Sequence, residues 1–167
     1  MNLVRRLVVG IGSHHGDDSI GWMVVDRLKD EAKQDFYGAR FVKCQLPIDL
    51  LDRLDEVDEV HVIDAMDGAW HHDSAKSRTV HRLRYSERGD RLAVLERRST
   101  SSHGIGVLPV LQLAEKLGLP TGHVTLWLAQ GEKFEPMSGP SAVALRSIDL
   151  CVDAIRKELR HARTLAG

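Results

Sequence analysis

The sequence predicts an α/β fold, a single-domain three-layer sandwich in which a mostly parallel, twisted sheet carries helices on both faces. Short β-branched runs alternate with segments whose apolar residues recur at helical spacing, and this alternation is typical of a parallel sheet. The length of 167 residues fits one domain, which we expect to span residues 1–167. Apolar residues make up 43% of the chain and charged residues 28%, a balance typical of globular proteins.

The first half of the chain predicts three strands and two helices. Leu7–Ile11 is an apolar run followed by glycine, as in a buried parallel strand. A helix should begin near Asp18 and end near Lys33, because apolar residues follow at spacings of three and four. We then expect a second strand over Ala39–Gln45, a short helix starting at Pro47, and a third strand over Val60–Ile63 that stops at Asp64.

The second half predicts two more strands and two more helices. Thr79–Arg84 alternates charged with apolar residues, which indicates a strand near the sheet edge. A serine-rich loop then precedes an apolar helix closed by Gly118. Val124–Ala129 is predicted as a buried strand, and after a loop over Gly131–Gly139 a final helix begins at its cap, Ser141.

Charge and composition limit the classes of partner. Lys and Arg number 23 against 24 Asp and Glu, so the net charge of -1 gives no general attraction for nucleic acid. The apolar runs fall short of the roughly 20 residues that cross a bilayer. We therefore expect a cytoplasmic protein with neither nucleic-acid nor membrane partners. Cys44 and Cys151 are too few for a disulfide framework and are predicted to be buried structural thiols.

Three polar segments are predicted to meet at one edge of the sheet. Asp17 and Asp18 follow the first strand, Asp64 follows the third, and His103 lies in the loop that opens a helix. Ligand sites of open α/β sheets lie beyond the carboxyl ends of the strands. Two carboxylates and an imidazole suit zinc, nickel or a similar divalent ion, and three protein ligands leave coordination positions open. The pattern indicates a catalytic or sensing metal site.

The same residues also have purely structural interpretations. Asp17 and Asp18 occupy positions typical of helix caps, and Asp64 could accept hydrogen bonds from loop amides. A serine-rich loop with one histidine is often a capped turn. A phosphate-binding turn at Gly10–Gly12 is disfavoured, because the third glycine is displaced and the acidic pair would repel the anion.

Four segments in this order resemble the hydrogenase maturation proteases, which process the large subunits of nickel–iron hydrogenases. The resemblance extends over nearly the whole chain. The segments are Gly10-Ile11-Gly12-Ser13 through Gly16-Asp17-Asp18-Ser19-Ile20-Gly21, then Val62-Ile63-Asp64-Ala65, then Ser101-Ser102-His103-Gly104-Ile105-Gly106, and finally Gly131-Glu132-Lys133-Phe134-Glu135-Pro136 with Gly139 and Ser141.

This resemblance implies an endopeptidase that removes a C-terminal extension from a nickel–iron hydrogenase large-subunit precursor. It implies a divalent metal held by Asp18, Asp64 and His103, namely nickel supplied by the substrate, with zinc or cadmium as surrogates. We hypothesise that Asp17 orients the attacking water, which completes a catalytic set of Asp17, Asp18, Asp64 and His103. The precursor is the expected partner, and we expect the protein itself to be a monomer.

Two segments depart from the family pattern beside the predicted site. Ser13-His14-His15-Gly16 is polar and one residue short, and Gly68-Ala69-Trp70-His71-His72-Asp73 replaces the usual Gly-x-x-Pro-Gly. The four histidines either alter metal affinity or are solvated loop residues. Two rival functions stay open on sequence alone: a metal-dependent checkpoint protein that binds the precursor without cutting it, and a nucleotide-binding module at residues 10–18.

Overall fold

A mixed five-stranded sheet forms the centre of the protein. The structure is a computed structural model that describes residues 4–35, 39–67, 79–87 and 106–164. The strands are β1 (Arg6–Ile11), β2 (Ala39–Cys44), β3 (Glu59–Asp67), β4 (Val80–Arg84) and β5 (Val124–Gly131). Their order is β2-β1-β3-β5-β4. The first four strands in this order are parallel, and β4 is an antiparallel edge strand.

Helices cover both faces of this sheet. They are α1 (Ile20–Asp35), α2 (Val107–Lys116) and α3 (Ala142–Thr164), with 3₁₀ turns at Gly16–Ser19, Pro47–Arg53 and Tyr85–Glu87. On one face Val8 packs in a core with residues of α1 and α3, including Ile20 and Ile148. On the other face Leu7 packs in a core with residues of α2 and of the Pro47–Arg53 turn. The predicted three-layer α/β sandwich is confirmed.

All six residues of β1 are buried, because α1 and α3 cover one face and α2 covers the other. This is why Leu7–Ile11 is a continuous apolar run in the sequence and lacks the alternation of a strand with one solvent-exposed face. The edge strand β4 has partly exposed side chains on both sides, as its charged sequence predicted.

Two predicted boundaries were wrong. The third strand does not stop at Asp64 but continues to Asp67, because its main chain pairs with β5 as far as Gly131. The first helix does not begin at Asp18: a 3₁₀ turn precedes it, and α1 starts at Ile20. Both errors arise where polar residues lie inside a regular element.

Two further expectations concern membranes and cysteines. Among the described helices, none is both long enough and apolar enough to cross a bilayer. Cys44 and Cys151 are buried free thiols, as predicted. Burial raises the pKa of Cys151 to about 12, which keeps it protonated and unreactive at neutral pH.

Candidate functional site

The predicted site begins where α1 packs directly against the strand ends. A Cβ atom on Gly10 would lie 2.1 Å from the carbonyl oxygen of Gly21, and one on Gly21 would lie 2.3 Å from that of Ile11 and 2.8 Å from that of Ile63. Only glycine permits this approach of helix and strand backbones. The start of α1 therefore lies over the carboxyl end of β1 and the middle of β3.

The turn Gly16–Ser19, called here the acidic turn, folds back onto the end of β1. Gly12 has φ +152°, and a Cβ atom there would lie 2.0 Å from the carbonyl oxygen of Asp18. Both the backbone conformation and the lack of space therefore require glycine. The amide of Ser13 donates to the same Asp18 oxygen at 3.2 Å. These contacts hold the backbone of Asp18 beside the end of β1.

Asp18 is the first predicted metal ligand, and its side chain is fixed from within the site. Asp18 as a residue is only 8% exposed, and its carboxylate accepts a 2.6 Å hydrogen bond at Oδ2 from the hydroxyl of Ser13. That hydroxyl in turn accepts from the amide of His15 at 3.3 Å. A short hydrogen bond of this kind restricts the rotation of a carboxylate, as outer partners of metal ligands do.

Asp64, the second predicted ligand, lies within β3 and is partly buried. It is opposite Leu128 of β5 in the sheet register. The acidic turn contacts β3, so Asp18 and Asp64 are on touching elements at the same edge of the sheet. The structure thus brings together the elements that carry two of the three predicted ligands.

The third predicted ligand, His103, lies outside the described residues, as do Ser101, Ser102, His71 and His72. Within residues 4–35, 39–67, 79–87 and 106–164, no group of three or more His, Cys, Asp or Glu side chains is arranged to hold a metal. Carboxylate oxygens from Asp18 and Asp64 fit a divalent first-row ion that gains a further nitrogen ligand. The three-ligand site stays a prediction.

Asp17 points in a different direction from its neighbour. Its carboxylate is 0% exposed and accepts hydrogen bonds from the amides of Glu132, Lys133 and Ser141 and from the hydroxyl of Ser141. Burial raises the pKa of Asp17, but the hydrogen bonds from Glu132, Ser141 and Lys133 more than compensate and hold that pKa below its ordinary value. Its predicted role in orienting water stays a prediction.

Sequence reasoning missed the residues that receive Asp17. They belong to residues 132–141 between β5 and α3, called here the late loop. Ser141 was recognised only as a helix cap, a role it has, since its hydroxyl accepts from the amide of Ala144 at 3.1 Å. In the sequence this loop was marked only by the segment that begins at Gly131 and resembles the family pattern. In the structure, a Cβ atom on Gly131 would lie 2.6 Å from that of Asp17.

The unusual histidine pair lies on the rim of the site. The ring of His14 packs edge-on against Trp22 with centroids 4.7 Å apart. Lys43 lies over the same indole at 5.5 Å, and the indole nitrogen donates to the carbonyl of Cys44 at 3.0 Å. His15 is exposed, and its Nδ1 lies 3.5 Å from the amide of Met137. His14 is thus part of a packed cluster, whereas His15 contacts the late loop.

No protein-family model matches the sequence, and no curated protein is significantly similar to it. Solved structures do match. The hydrogenase maturating endopeptidase HybD from Escherichia coli has a TM-score of 0.67 at 22% identity, over 95% of this chain and 93% of that chain. The chain has the fold of the hydrogenase maturation proteases. This likeness confirms the fold that the sequence resemblance implied.

Two further structures agree. An endopeptidase from Escherichia coli, solved in solution, has a TM-score of 0.71 at 21% identity, over 95% of this chain and 93% of that chain. The nickel–iron hydrogenase maturation protease HycI from Thermococcus kodakarensis has a TM-score of 0.64 at 19% identity, over 93% and 92% of the two chains. The hydrogenase maturation protease fold therefore accounts for nearly the whole chain.

Proposed function

We propose that this protein is a metal-dependent endopeptidase that removes a C-terminal extension from the precursor of a nickel–iron hydrogenase large subunit. One observation carries the proposal: an acidic turn with a nearly buried Asp18 contacts the strand of Asp64, in the fold of hydrogenase maturation proteases. Carboxylates at the carboxyl ends of parallel strands are where an α/β enzyme places its chemistry.

Asp18, Asp64 and His103 would hold the metal, which we propose is nickel brought by the precursor. When bound, such an ion supplies a Lewis acid that polarises a carbonyl and lowers the pKa of a water molecule. The chain itself contributes a fixed carboxylate, because the Ser13 hydroxyl holds Asp18 Oδ2 at 2.6 Å. A ligand held in place before the metal arrives loses less conformational freedom on binding.

The rival proposal is a checkpoint protein that binds the nickel-loaded precursor without cutting it. The packed cluster of His14, Trp22 and Lys43 supports this second candidate. It forms an ordered surface beside the site, in the segment where the sequence departs from the family pattern. Such a protein would need the metal ligands for recognition alone. Cleavage separates the two functions.

The deciding experiment mixes the purified protein with a nickel-loaded large-subunit precursor from the same genome and measures the mass of the large subunit. We expect loss of a C-terminal peptide, abolished by Asp64→Asn. The matched control is Asp67→Asn, three residues along the same strand and exposed, which should cleave normally. An unchanged mass with retained binding would move the function to the checkpoint, and absence of binding would overturn both.

A further inference from the structure

The carboxylate of Asp17 accepts four hydrogen bonds from the late loop. Its Oδ2 accepts from the amides of Glu132 at 2.6 Å and Lys133 at 2.9 Å and from the hydroxyl of Ser141 at 2.6 Å. Its Oδ1 accepts from the amide of Ser141 at 2.6 Å. Four donors therefore converge on this one carboxylate, three of them on Oδ2 and one on Oδ1. This geometry is that of a buried anchor and differs from that of a group facing substrate.

The backbones of the two segments are joined as closely as the side chains. The amide of Asp17 donates to the carbonyl of Lys133 at 2.6 Å, and that of Gly16 donates to the carbonyl of Ser138 at 3.0 Å. A Cβ atom on Gly16 would lie 2.2 Å from the Lys133 oxygen. The acidic turn and the late loop therefore form one hydrogen-bonded unit.

The same carboxylate also connects this unit to α3. Ser141 immediately precedes Ala142, the first residue of α3, and its hydroxyl caps the amide of Ala144. A negative charge at this end of a helix is stabilised by the unpaired amides and by the helix dipole. Asp17 thus ties the acidic turn to the longest described helix, which packs on the sheet.

Asp17 and Asp18 are neighbours in one 3₁₀ turn, yet their side chains bind on different sides. Asp17 binds the late loop, whereas Asp18 binds Ser13 at the end of β1. Because the two share a peptide bond, fixing Asp17 also limits the positions open to Asp18. We propose that Asp17 is a positioning residue that holds Asp18 in place by locking the acidic turn to the late loop. The inference rests on the proposed function only for the role given to Asp18.

The test measures amide hydrogen exchange by NMR in the full-length protein and in Asp17→Asn. Asparagine keeps the size but places an NH₂ group among donors, so the late-loop amides of Glu132 and Lys133 should exchange faster. Positioning adds a second effect: the Ser13 amide, bonded to the Asp18 carbonyl, should also exchange about tenfold faster. Affinity for Ni²⁺ alone, by calorimetry, should fall at least about tenfold.

A second variant guards against a failure of Asp17→Asn to fold. Gly131→Ala retains Asp17 but presses a Cβ atom against it, and it should produce the same coupled pattern in weaker form. The matched control is Asp58→Asn, which removes a carboxylate paired with Arg5 at the opposite end of the sheet. That control should leave the Ser13 amide and the Ni²⁺ affinity unchanged.

The outcomes separate this inference from the proposed function. Faster exchange confined to the late loop, with Ser13 exchange and Ni²⁺ affinity at wild-type values, would overturn positioning. If Asp17→Asn speeds exchange at both the late loop and Ser13, but the wild-type protein leaves the precursor uncut, the peptidase function would be overturned and positioning upheld.

Discussion

Ser141 donates both its backbone amide and its hydroxyl to the carboxylate of Asp17, a residue 124 positions earlier in the chain. Both donor–acceptor distances are 2.6 Å, and the serine hydroxyl also caps α3. One side chain therefore satisfies a buried charge and a helix terminus together. The stability of the site should be sensitive to this residue.

Ser141→Ala should destabilise the protein by about 2 kcal/mol, because it removes a charged hydrogen bond and a helix cap. The measurement is urea unfolding followed by circular dichroism. Ser138→Ala is the matched control, since its hydroxyl lies in the same loop but bonds only at an exposed position, to the Glu135 carbonyl. The control should cost less than about 0.5 kcal/mol. Equal losses in both variants would contradict the special role of Ser141.

Ser13→Ala should weaken binding of Ni²⁺ by about tenfold with little change in fold, because Asp18 loses the hydroxyl that fixes its carboxylate. Isothermal titration of the purified variant with Ni²⁺ measures this. Ser19→Ala, which removes a hydroxyl bonded to the Gly16 carbonyl on the same turn, serves as the control. An affinity equal to wild type in Ser13→Ala would mean that Asp18 is held by other contacts or does not bind the metal.

Met137 has φ +63° and a side chain that is 93% exposed, an unusual conformation for a residue other than glycine. The left-handed conformation costs an L-residue about 1 kcal/mol. The Met137→Gly variant should therefore be more stable than the Met137→Ala variant by roughly 0.5–1 kcal/mol. At most positions the order is the reverse, because alanine restricts the unfolded chain more than glycine does. Comparison of the two melting temperatures tests this, and a more stable alanine variant would refute it.

We expect His61 to make the free energy of unfolding depend on pH. It is buried and accepts a hydrogen bond at Nδ1 from the indole of Trp127 at 3.2 Å. Burial lowers the pKa of His61 from its ordinary 6.5, and Arg82 and Arg6 lower it further, whereas Glu158 and Glu59 oppose this. The unfolded chain then takes up a proton at a higher pH than the folded chain.

The direction of the pH dependence of stability follows from this difference between the folded and unfolded pKa of His61. Its contribution to stability should be fully present above about pH 6.5 and lost as the pH falls below it, with a slope of up to about 1.4 kcal/mol per pH unit. Urea unfolding between pH 5 and 8 measures the slope. His61→Gln, which can still accept from Trp127, should flatten the curve, and an unchanged slope in that variant would assign the effect to other groups.

Local pattern was enough to predict most of the fold. The strands Leu7–Ile11 and Val124–Ala129 could be recognised because both faces are buried, so apolar residues fill nearly all of their positions, with Thr125 the polar one. The third strand was cut short at Asp64 because a polar residue inside a strand resembles a loop. Its true end at Asp67 is set by pairing with β5, about 60 residues later, which local sequence does not encode.

The candidate site was predicted in part for the same reason. Asp18 and Asp64 could be placed at one edge of the sheet, since parallel strands end on the same side. The partners of Asp17 could not be found, because they lie 115 to 124 residues away and the bonds come mainly from backbone amides. Every residue except proline has a backbone amide, so the residue type does not reveal which amides donate to Asp17.

The contact between Gly10 and Gly21 sets the height of α1 above the sheet by main chain alone. In most α/β proteins this spacing depends on the volumes of interlayer side chains, so repacking the core shifts the helix. Here the spacer is incompressible backbone. Changes of residue size in the core beneath α1 should therefore move the acidic turn little, because the backbone contact at Gly10 and Gly21 fixes the helix there.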